Sequence, residues 1–335
     1  MNAFSLNVYL GSYIFAFILQ LVCTIVNGTI ITLFLKIQAL RKNKHLRLVC
    51  YLSIGHFFAA IFGLPYFVYM ILNWNPTQLN FDPLFIIISA TPLPMNLKFS
   101  ATITIGIALS RNTAVCFPGL FRKMEQGYYS EIVGLIAGFL GLVDAVLSIT
   151  LSPVVQIANC GTTGCFVGSS FLFYWGISNM FLGLVVIALS ASLLLKMKAI
   201  DGKSSTSSVT GSQKSKFQQA NKTTTGVLIS SLIFFTIPSL FVGIVQLIGI
   251  SFFKLIGPFY YTSLLLSGIF SGIVFLVSNN DARRVIAGQP TNHSTQVTSI
   301  FVKRVAGTAF NFCLLAIVIN GAINQQSPSR STIIS

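Results

Sequence analysis

Two ionisable side chains, Lys98 and Asp144, lie inside otherwise apolar stretches of this sequence, and they are its strongest candidates for chemistry. Lys98 precedes Arg111 by 13 residues. At the rise of a helix, that spacing places the two side chains about 20 Å apart along the axis. Asp144 follows Glu131 by the same number of residues in the next apolar stretch. Antiparallel helices would therefore bring Lys98 and Asp144 to a similar depth.

Three interpretations of Lys98 are open at this stage. A lysine near the centre of a membrane span costs roughly 2.5–3.5 kcal/mol on insertion scales, so it needs a partner or water. Lys98 could form an ion pair with Asp144, which would be a structural role. It could instead face a cavity and bind an acidic or carbonyl ligand, or extend its amine outward to the membrane surface.

The elements that carry these side chains are predicted to be membrane-spanning helices. The chain is 54% hydrophobic and 8% charged, whereas a soluble domain has roughly 25% charged residues. Seven apolar runs are long enough to cross a bilayer: 11–35, 47–72, 84–110, 130–157, 166–195, 225–248 and 257–278. Backbone groups in lipid must be paired within the segment, and the runs lack the alternation of a membrane barrel. The predicted fold class is all-α, an integral membrane seven-helix bundle.

The basic residues predict the orientation of the chain in the lipid bilayer. The formal net charge is +15, but the Lys and Arg residues do not form the single patch of a nucleic-acid-binding protein. The odd-numbered connections and the tail up to Arg304 carry 18 of them, and the opposite side carries Lys254. Because basic loops stay in the cytoplasm, the N-terminus is predicted to be extracellular. The first ten residues lack Lys and Arg, so the first run is predicted to be a retained span.

Three regions follow from this topology: an extracellular N-terminus at 1–10, a seven-span domain at 11–279 and a cytoplasmic tail at 280–335. Within the tail, the apolar segment 305–323 could be an additional helix, and whether it spans the membrane stays open. The polar connection at 196–224 is predicted to be mobile. The outer connections at 73–82 and 158–165 are short, so a small-molecule site would have to lie within the bundle.

The segment around Arg111 carries a family resemblance. The sequence Ala-Leu-Ser-Arg-Asn-Thr-Ala-Val-Cys-Phe-Pro, residues 108–118, is similar to the Asp-Arg-Tyr region of rhodopsin-like receptors. It more closely resembles the corresponding segment of nematode serpentine chemoreceptors. Further similar segments are Asn27-Gly28, Leu52-Ser-Ile-Gly-His56, Phe234-Phe-Thr-Ile-Pro238 and Gly257-Pro258. Ala220-Asn221 resembles the Srbc-like and Srsx-like branches.

The resemblance implies a G-protein-coupled chemoreceptor in the plasma membrane of sensory neurons. Its partners would be a small-molecule ligand and a heterotrimeric G protein, and Arg111, Asn112 and Pro118 would lie in the coupling surface. The alternative for Arg111 is an interfacial basic residue that obeys the charge rule. The alternative for the whole chain is a multi-pass transporter or channel subunit, although no internal repeat supports it. A light-sensing pigment is disfavoured because residues 258–278 contain no lysine.

The ligand pocket is predicted from aromatic residues in the outer halves of the spans. The candidates are Lys98, Tyr66, Tyr69, Tyr174, Trp175 and Tyr260. Most such aromatics form an interfacial belt, and a minority turned inward would line an apolar pocket. Pro238 could be a hinge for the sixth span or a static kink. No motif for catalysis, metal binding or a cofactor is present, so the chain is predicted not to be an enzyme.

Departures from the receptor pattern also carry predictions. Ser110 stands where the receptors have an acid, so the usual acid-arginine lock is missing and basal activity could be high. His56 takes the place of an aspartate in the second span, which argues against a sodium site. The third span has no outer cysteine for the usual bridge. Cys160 and Cys165 could pair with each other in an oxidising exterior or remain free thiols.

Overall fold

The computed structural model describes residues 6–43, 46–201, 223–249 and 259–286, and every regular element in them is helical. The helices are α1 (Leu6–Lys36), α2 (Gln38–Lys42), α3 (Arg47–Phe62), α4 (Leu64–Leu72), α5 (Pro83–Ala90), α6 (Pro92–Cys116), α7 (Pro118–Gln126), α8 (Tyr129–Thr150), α9 (Thr163–Phe166), α10 (Ser169–Asp201), α11 (223–231), α12 (Ile237–Leu247), α13 (Phe259–Ser278) and α14 (Asn280–Ile286). A π-helical turn, Leu232–Thr236, joins α11 to α12.

Within the described residues, seven helical segments are long and apolar enough to cross a membrane. They are Asn7–Lys36, Arg47–Leu72, Pro83–Cys116, Tyr129–Thr150, Ser169–Lys196, Thr223–Leu247 and Tyr260–Ser278. The predicted all-α seven-helix bundle is confirmed. Several predictions fall outside the described residues, namely the apolar segment 305–323, Pro258, Lys254 and most of the polar connection at 196–224.

Two spans are interrupted, and one is shorter than predicted. The second span breaks at Gly63 between α3 and α4, and the third breaks at Thr91 before Pro92. The fourth span was predicted to reach residue 157, which is wrong, because α8 ends at Thr150. Pro153 disfavours a helical conformation at the residue before it and lacks an N–H group, so the helix cannot continue through it. The connection to α10 therefore begins well before the predicted 158.

The third span is the centre of the bundle. It packs against the second, fourth and fifth spans, while the first span packs against the second and the seventh. The sixth span contacts the fifth and the seventh, which completes the ring. Large apolar side chains are exposed on the outside of the bundle, such as Leu135, Phe139 and Val146 on the fourth span. A face of this kind is stable in lipid and not in water.

The bundle has two ends with different chemistry. One end contains Cys160 and Cys165, and we call it the disulfide end. The opposite end, which we call the basic end, contains Arg47, Arg111 and Lys196. Each end has its own buried apolar cluster, so the bundle is packed along its whole length.

Candidate functional site

A cavity of about 40 Å³ lies inside the bundle at the disulfide end. Three of the predicted pocket residues line it, namely Tyr66 on α4, Trp175 on α10 and Tyr260 on α13. A water needs roughly 10–15 Å³ by this kind of measure. The cavity in this conformation therefore holds only a few heavy atoms, and a larger ligand requires its walls to move apart.

Aromatic rings from different spans form much of the cavity wall. Tyr66 stacks almost parallel to Tyr261, with ring centroids 5.9 Å apart. Trp175 meets Tyr260 edge to face at 5.5 Å and stacks on Phe171 at 6.1 Å. Offset and edge-to-face pairs of this kind stabilise an aromatic cluster beyond its burial alone. The wall is thus apolar in character and carries hydroxyl groups at a few points.

A small disulfide-closed loop covers the cavity. Cys160 and Cys165 are bonded to each other, and Gly164 inside the loop lines the cavity. The Tyr13 hydroxyl on the first span donates a hydrogen bond of 2.6 Å to the Gly161 carbonyl. The loop is therefore held both by its own disulfide and by the first span.

The residue before this loop anchors it to the connection between the second and third spans. Asn159 adopts a left-handed backbone conformation with φ of 59°, which asparagine tolerates better than most residues. Its N–H donates to the Leu79 carbonyl at 2.8 Å, and its Oδ1 accepts from the Leu79 N–H at 3.2 Å. This pair of hydrogen bonds fixes the loop relative to the second and third spans.

The other predicted pocket residues, Tyr69, Tyr174 and Lys98, do not line the cavity. Tyr69 packs on Phe85 at 4.3 Å between ring centroids, and its hydroxyl accepts a hydrogen bond from the Asp82 N–H. Tyr174 is partly exposed at the side of the bundle. Residues close together in sequence thus point to different environments, because each helix turns its faces by a fixed angle.

Lys98 and Asp144 belong to one buried polar cluster between the third, fourth and fifth spans. The Lys98 Nζ atom lies 3.4 Å from Asp144 Oδ2 and donates a hydrogen bond of 2.7 Å to Ser178 Oγ. The Tyr174 hydroxyl donates to Asp144 Oδ1 at 3.0 Å. The Lys98 amine also lies 5.5 Å from the centre of the Tyr174 ring. The two charges are therefore held by each other and by two neutral side chains.

This ionic cluster lies one helical turn beyond the cavity. Pro94 and Ser148 line the cavity, and Lys98 and Asp144 each stand four residues farther along their helices toward the basic end. Four residues correspond to about 6 Å of helix. The cluster lies on the basic-end side of the cavity and is separated from it by one turn of helix.

The predicted coupling residues lie at the basic end of the third span. Arg111 is 2% exposed, although it is charged. The Asn112 side chain donates hydrogen bonds to the Leu189 carbonyl at 2.8 Å and to the Ala108 carbonyl at 3.0 Å. Asn112 thereby ties the third span to the fifth, and Pro118 opens the short helix α7 that follows.

Comparison with known families supports the resemblance carried by the Arg111 segment. The model of the family described as serpentine type 7TM GPCR chemoreceptor Srbc matches residues 5–277. The chain belongs to the Srbc chemoreceptor family. The match begins before the first span and reaches the last turn of the seventh, so it covers the whole bundle. A search of curated proteins found no match.

The sixth span of this Srbc chemoreceptor is irregular next to the predicted hinge, Pro238. A proline lacks an N–H group, so the carbonyl four residues earlier, that of Phe234, loses its usual helical partner. The Ser263 hydroxyl on the seventh span donates to that carbonyl. The π-helical turn Leu232–Thr236 lies immediately before Pro238, and such turns recur where helices bend.

A polar layer crosses the middle of the Srbc chemoreceptor, where sequence comparison draws attention to His56. The His56 Nδ1 atom lies 3.4 Å from Asn96 Nδ2. Asn27 on the first span donates to the Cys23 carbonyl at 2.9 Å and, more weakly, to the Gly268 carbonyl at 3.4 Å. Among the described residues, no group of three or more His, Cys, Asp and Glu side chains could hold a metal ion.

Several residues of this site were not found by sequence reasoning. Ser178 and Ser239 are small hydroxyl residues in apolar helices, and nothing in their local sequence distinguishes them from others. Gln20 is different, because a lone amide in the middle of the first span is unusual in lipid and marks a functional candidate. The sequence therefore carries a signal for Gln20 and none for the two serines.

Proposed function

We propose that this Srbc chemoreceptor binds a small molecule in the cavity at the disulfide end and activates a heterotrimeric G protein at the basic end. It would act in the plasma membrane with its N-terminus and the disulfide end outside. The excess of basic residues at the opposite end supports that orientation. The Cys160–Cys165 bond also supports it, because disulfides persist in oxidising compartments.

The observation that carries this proposal is the contact of one cavity residue with the sixth span. Tyr260 lines the cavity, and its hydroxyl lies 2.7 Å from Ser239 Oγ. Ser239 directly follows Pro238, where the span has lost a regular helical hydrogen bond. A ligand that moves Tyr260 would therefore act on the sixth span where the lost hydrogen bond makes the helix easier to bend.

The basic end supplies the second half of the mechanism. An apolar cluster at the basic end joins Ile107, one turn before Arg111 on the third span, to Leu193 on the fifth span and to Val227 and Leu228 on the sixth. This cluster closes the basic end in the present conformation. Outward motion of the sixth span would open the cluster and expose Arg111 to a docked G-protein helix.

Cell-based signalling tests the proposal. Cells that express the full-length chain would be exposed to small volatile and water-soluble metabolites while a second messenger is measured. We expect wild type to respond and Tyr260→Phe and Ser239→Ala to lose most of the response at equal surface expression. Tyr69→Phe is the matched control, because its hydroxyl bonds at the first outer connection and does not touch the cavity.

Two outcomes contradict the proposal. The absence of any second-messenger response from well-expressed wild type, with or without metabolites, would argue against signalling. Equal losses in Tyr69→Phe and Tyr260→Phe would show that the hydroxyl between the cavity and the sixth span has no special part in transmission.

A further inference from the structure

Two buried polar side chains meet beside the helix break at Gly63. Gln20 on the first span is 0% exposed, and Tyr261 on the seventh is 4% exposed. A Cβ atom on Gly63 would lie 2.2 Å from Tyr261 Oη and 2.5 Å from Gln20 Nε2. The amide and the hydroxyl therefore lie side by side above the same glycine, which leaves room for them because it has no side chain.

Neither polar group is satisfied within the part of the chain that the structure describes. Gln20 Nε2, Gln20 Oε1 and Tyr261 Oη are all buried and have no hydrogen-bond partner there. Buried side-chain polar atoms normally have at least one partner, since an unmet group loses its bonds to water without replacement. Three such atoms at one point, contributed by two spans, indicate a site that a further molecule completes.

This pair borders the cavity of the proposed function. Tyr261 lines the cavity and stacks on Tyr66, which lines it as well. Gln20 does not itself line the cavity, and its Nε2 atom lies with Tyr261 Oη over Gly63. A ligand that enters between the aromatic rings thus meets one hydroxyl and, next to it, one amide that can both donate and accept.

The charges near the cavity argue for a neutral ligand. Lys98 and Asp144 neutralise each other one turn beyond it, and Ser178 and Tyr174 bond to them. A charged ligand could take its counter-charge from that buried pair only by breaking it, which is strongly unfavourable. A neutral molecule leaves the pair intact and can form hydrogen bonds with the unpartnered Gln20 and Tyr261 groups at Gly63.

We propose that Gln20 and Tyr261 form the polar subsite of the ligand cavity and that it takes a small neutral molecule with a carbonyl or hydroxyl oxygen on an apolar body. This inference rests on the proposed ligand-binding function. The Tyr261 hydroxyl or the Gln20 amide N–H donates to the ligand oxygen, and Gln20 Oε1 accepts from a ligand hydroxyl. The aromatic wall contacts the apolar body.

The test combines the stability of the unliganded protein with ligand potency. The variants are Gln20→Leu and Tyr261→Phe, which keep nearly the same volume and remove only the unmet polar atoms. The control is Tyr129→Phe, because the Tyr129 hydroxyl donates to the Gly106 carbonyl at 2.8 Å at the basic end. The probes are cyclopentanone, cyclopentanol, cyclopentane, cyclopentylamine and cyclopentanecarboxylate, which differ only in the polar group.

We expect the two subsite variants to keep or gain thermal stability and to lose ligand potency. In detergent-solubilised full-length protein, Gln20→Leu and Tyr261→Phe should unfold at the wild-type temperature or above it, whereas Tyr129→Phe should unfold below it. In the second-messenger assay, cyclopentanone and cyclopentanol should be the active probes. Their potency should fall on the order of tenfold in the two subsite variants and stay unchanged in Tyr129→Phe.

Other results would overturn the subsite, and they separate it from the proposed function. A fall in unliganded stability without a loss of potency would show a structural polar pair. A wild-type response confined to the amine, the carboxylate or the hydrocarbon would refute the neutral oxygen ligand but leave the receptor function intact. If no probe acts on the wild type, the subsite is refuted. If the wild type also activates no G protein, the proposed function fails as well.

Discussion

The amine of Lys98 and the carboxylate of Asp144 lie 3.4 Å apart on neighbouring spans, and both side chains are almost entirely buried. On the fifth span, the Tyr174 hydroxyl bonds to the carboxylate and the Ser178 hydroxyl bonds to the amine. A buried ion pair is not a large source of stability in itself, but its charges are costly to separate. The pair should therefore behave as a unit when either member is changed.

Changing one member of this pair should destabilise the protein far more than changing both. Lys98→Met leaves the Asp144 carboxylate without its counter-charge at the centre of the bundle, and Asp144→Asn leaves the Lys98 amine without its own. The cost should be roughly 3–5 kcal/mol by analogy with buried pairs in soluble proteins. The double variant should recover much of that loss. Thermal unfolding and surface expression of the three variants measure it.

Purely additive effects in this cycle would refute the pairing. The ligand interpretation of Lys98 makes a different prediction, namely that Lys98→Met expresses normally and responds more weakly to acidic agonists. Unchanged agonist potency in Lys98→Met would rule out that interpretation.

Replacing Arg111 should abolish G-protein activation without removing the protein from the cell surface. The arginine lies at the basic end, remote from the cavity, so Arg111→Ala should retain ligand binding. Arg122→Ala removes an exposed charge from α7 at the same end and is the matched control. Ligand-stimulated nucleotide exchange on the G protein, normalised to surface expression, is the measurement. Full signalling by Arg111→Ala would exclude the assigned role.

Straightening the sixth span should reduce the maximal response. Pro238→Ala supplies the missing N–H group, which can bond to the Phe234 carbonyl and compete with the Ser263 hydroxyl. We expect an unfolding temperature at or above wild type together with a lower maximal response. Ser263→Ala should lower stability by about 1 kcal/mol, because it removes the present partner of that carbonyl. A wild-type maximal response in Pro238→Ala would contradict the hinge.

The orientation of the chain can be tested directly. A tag at the N-terminus should be accessible to antibody on intact cells, and a tag inserted near Ser207 should be accessible only after permeabilisation. The reason is the excess of basic residues on the side that carries Ser207. Labelling in the opposite pattern would refute the assigned topology.

The sequence by itself determined the number and type of the spans. A helix that crosses a bilayer must be long and apolar and must pair its own backbone groups, and both requirements can be read along the chain. The fixed rise of a helix also predicted that Lys98 and Asp144 share a depth. The motif at 108–118 pointed to the chemoreceptor family, and the family match over 5–277 confirms that resemblance.

The tertiary structure decided which face of each span looks inward. In a soluble protein the apolar face of a helix marks the core, but lipid and the bundle interior are both apolar, so that pattern is weak here. Tyr66 lines the cavity, while Tyr69, three residues later, packs toward the connection between the second and third spans. Sequence reasoning treated the two as equivalent, because only contacts with neighbouring spans distinguish them.

The same reason explains why the polar groups at Gly63 were not predicted. Gln20, Gly63 and Tyr261 belong to three different spans, and their meeting depends on the rotation and register of all three. No spacing along the chain encodes such a meeting. It exists because the first, second and seventh spans pack together, and a glycine at the contact lets the amide and the hydroxyl reach the same point.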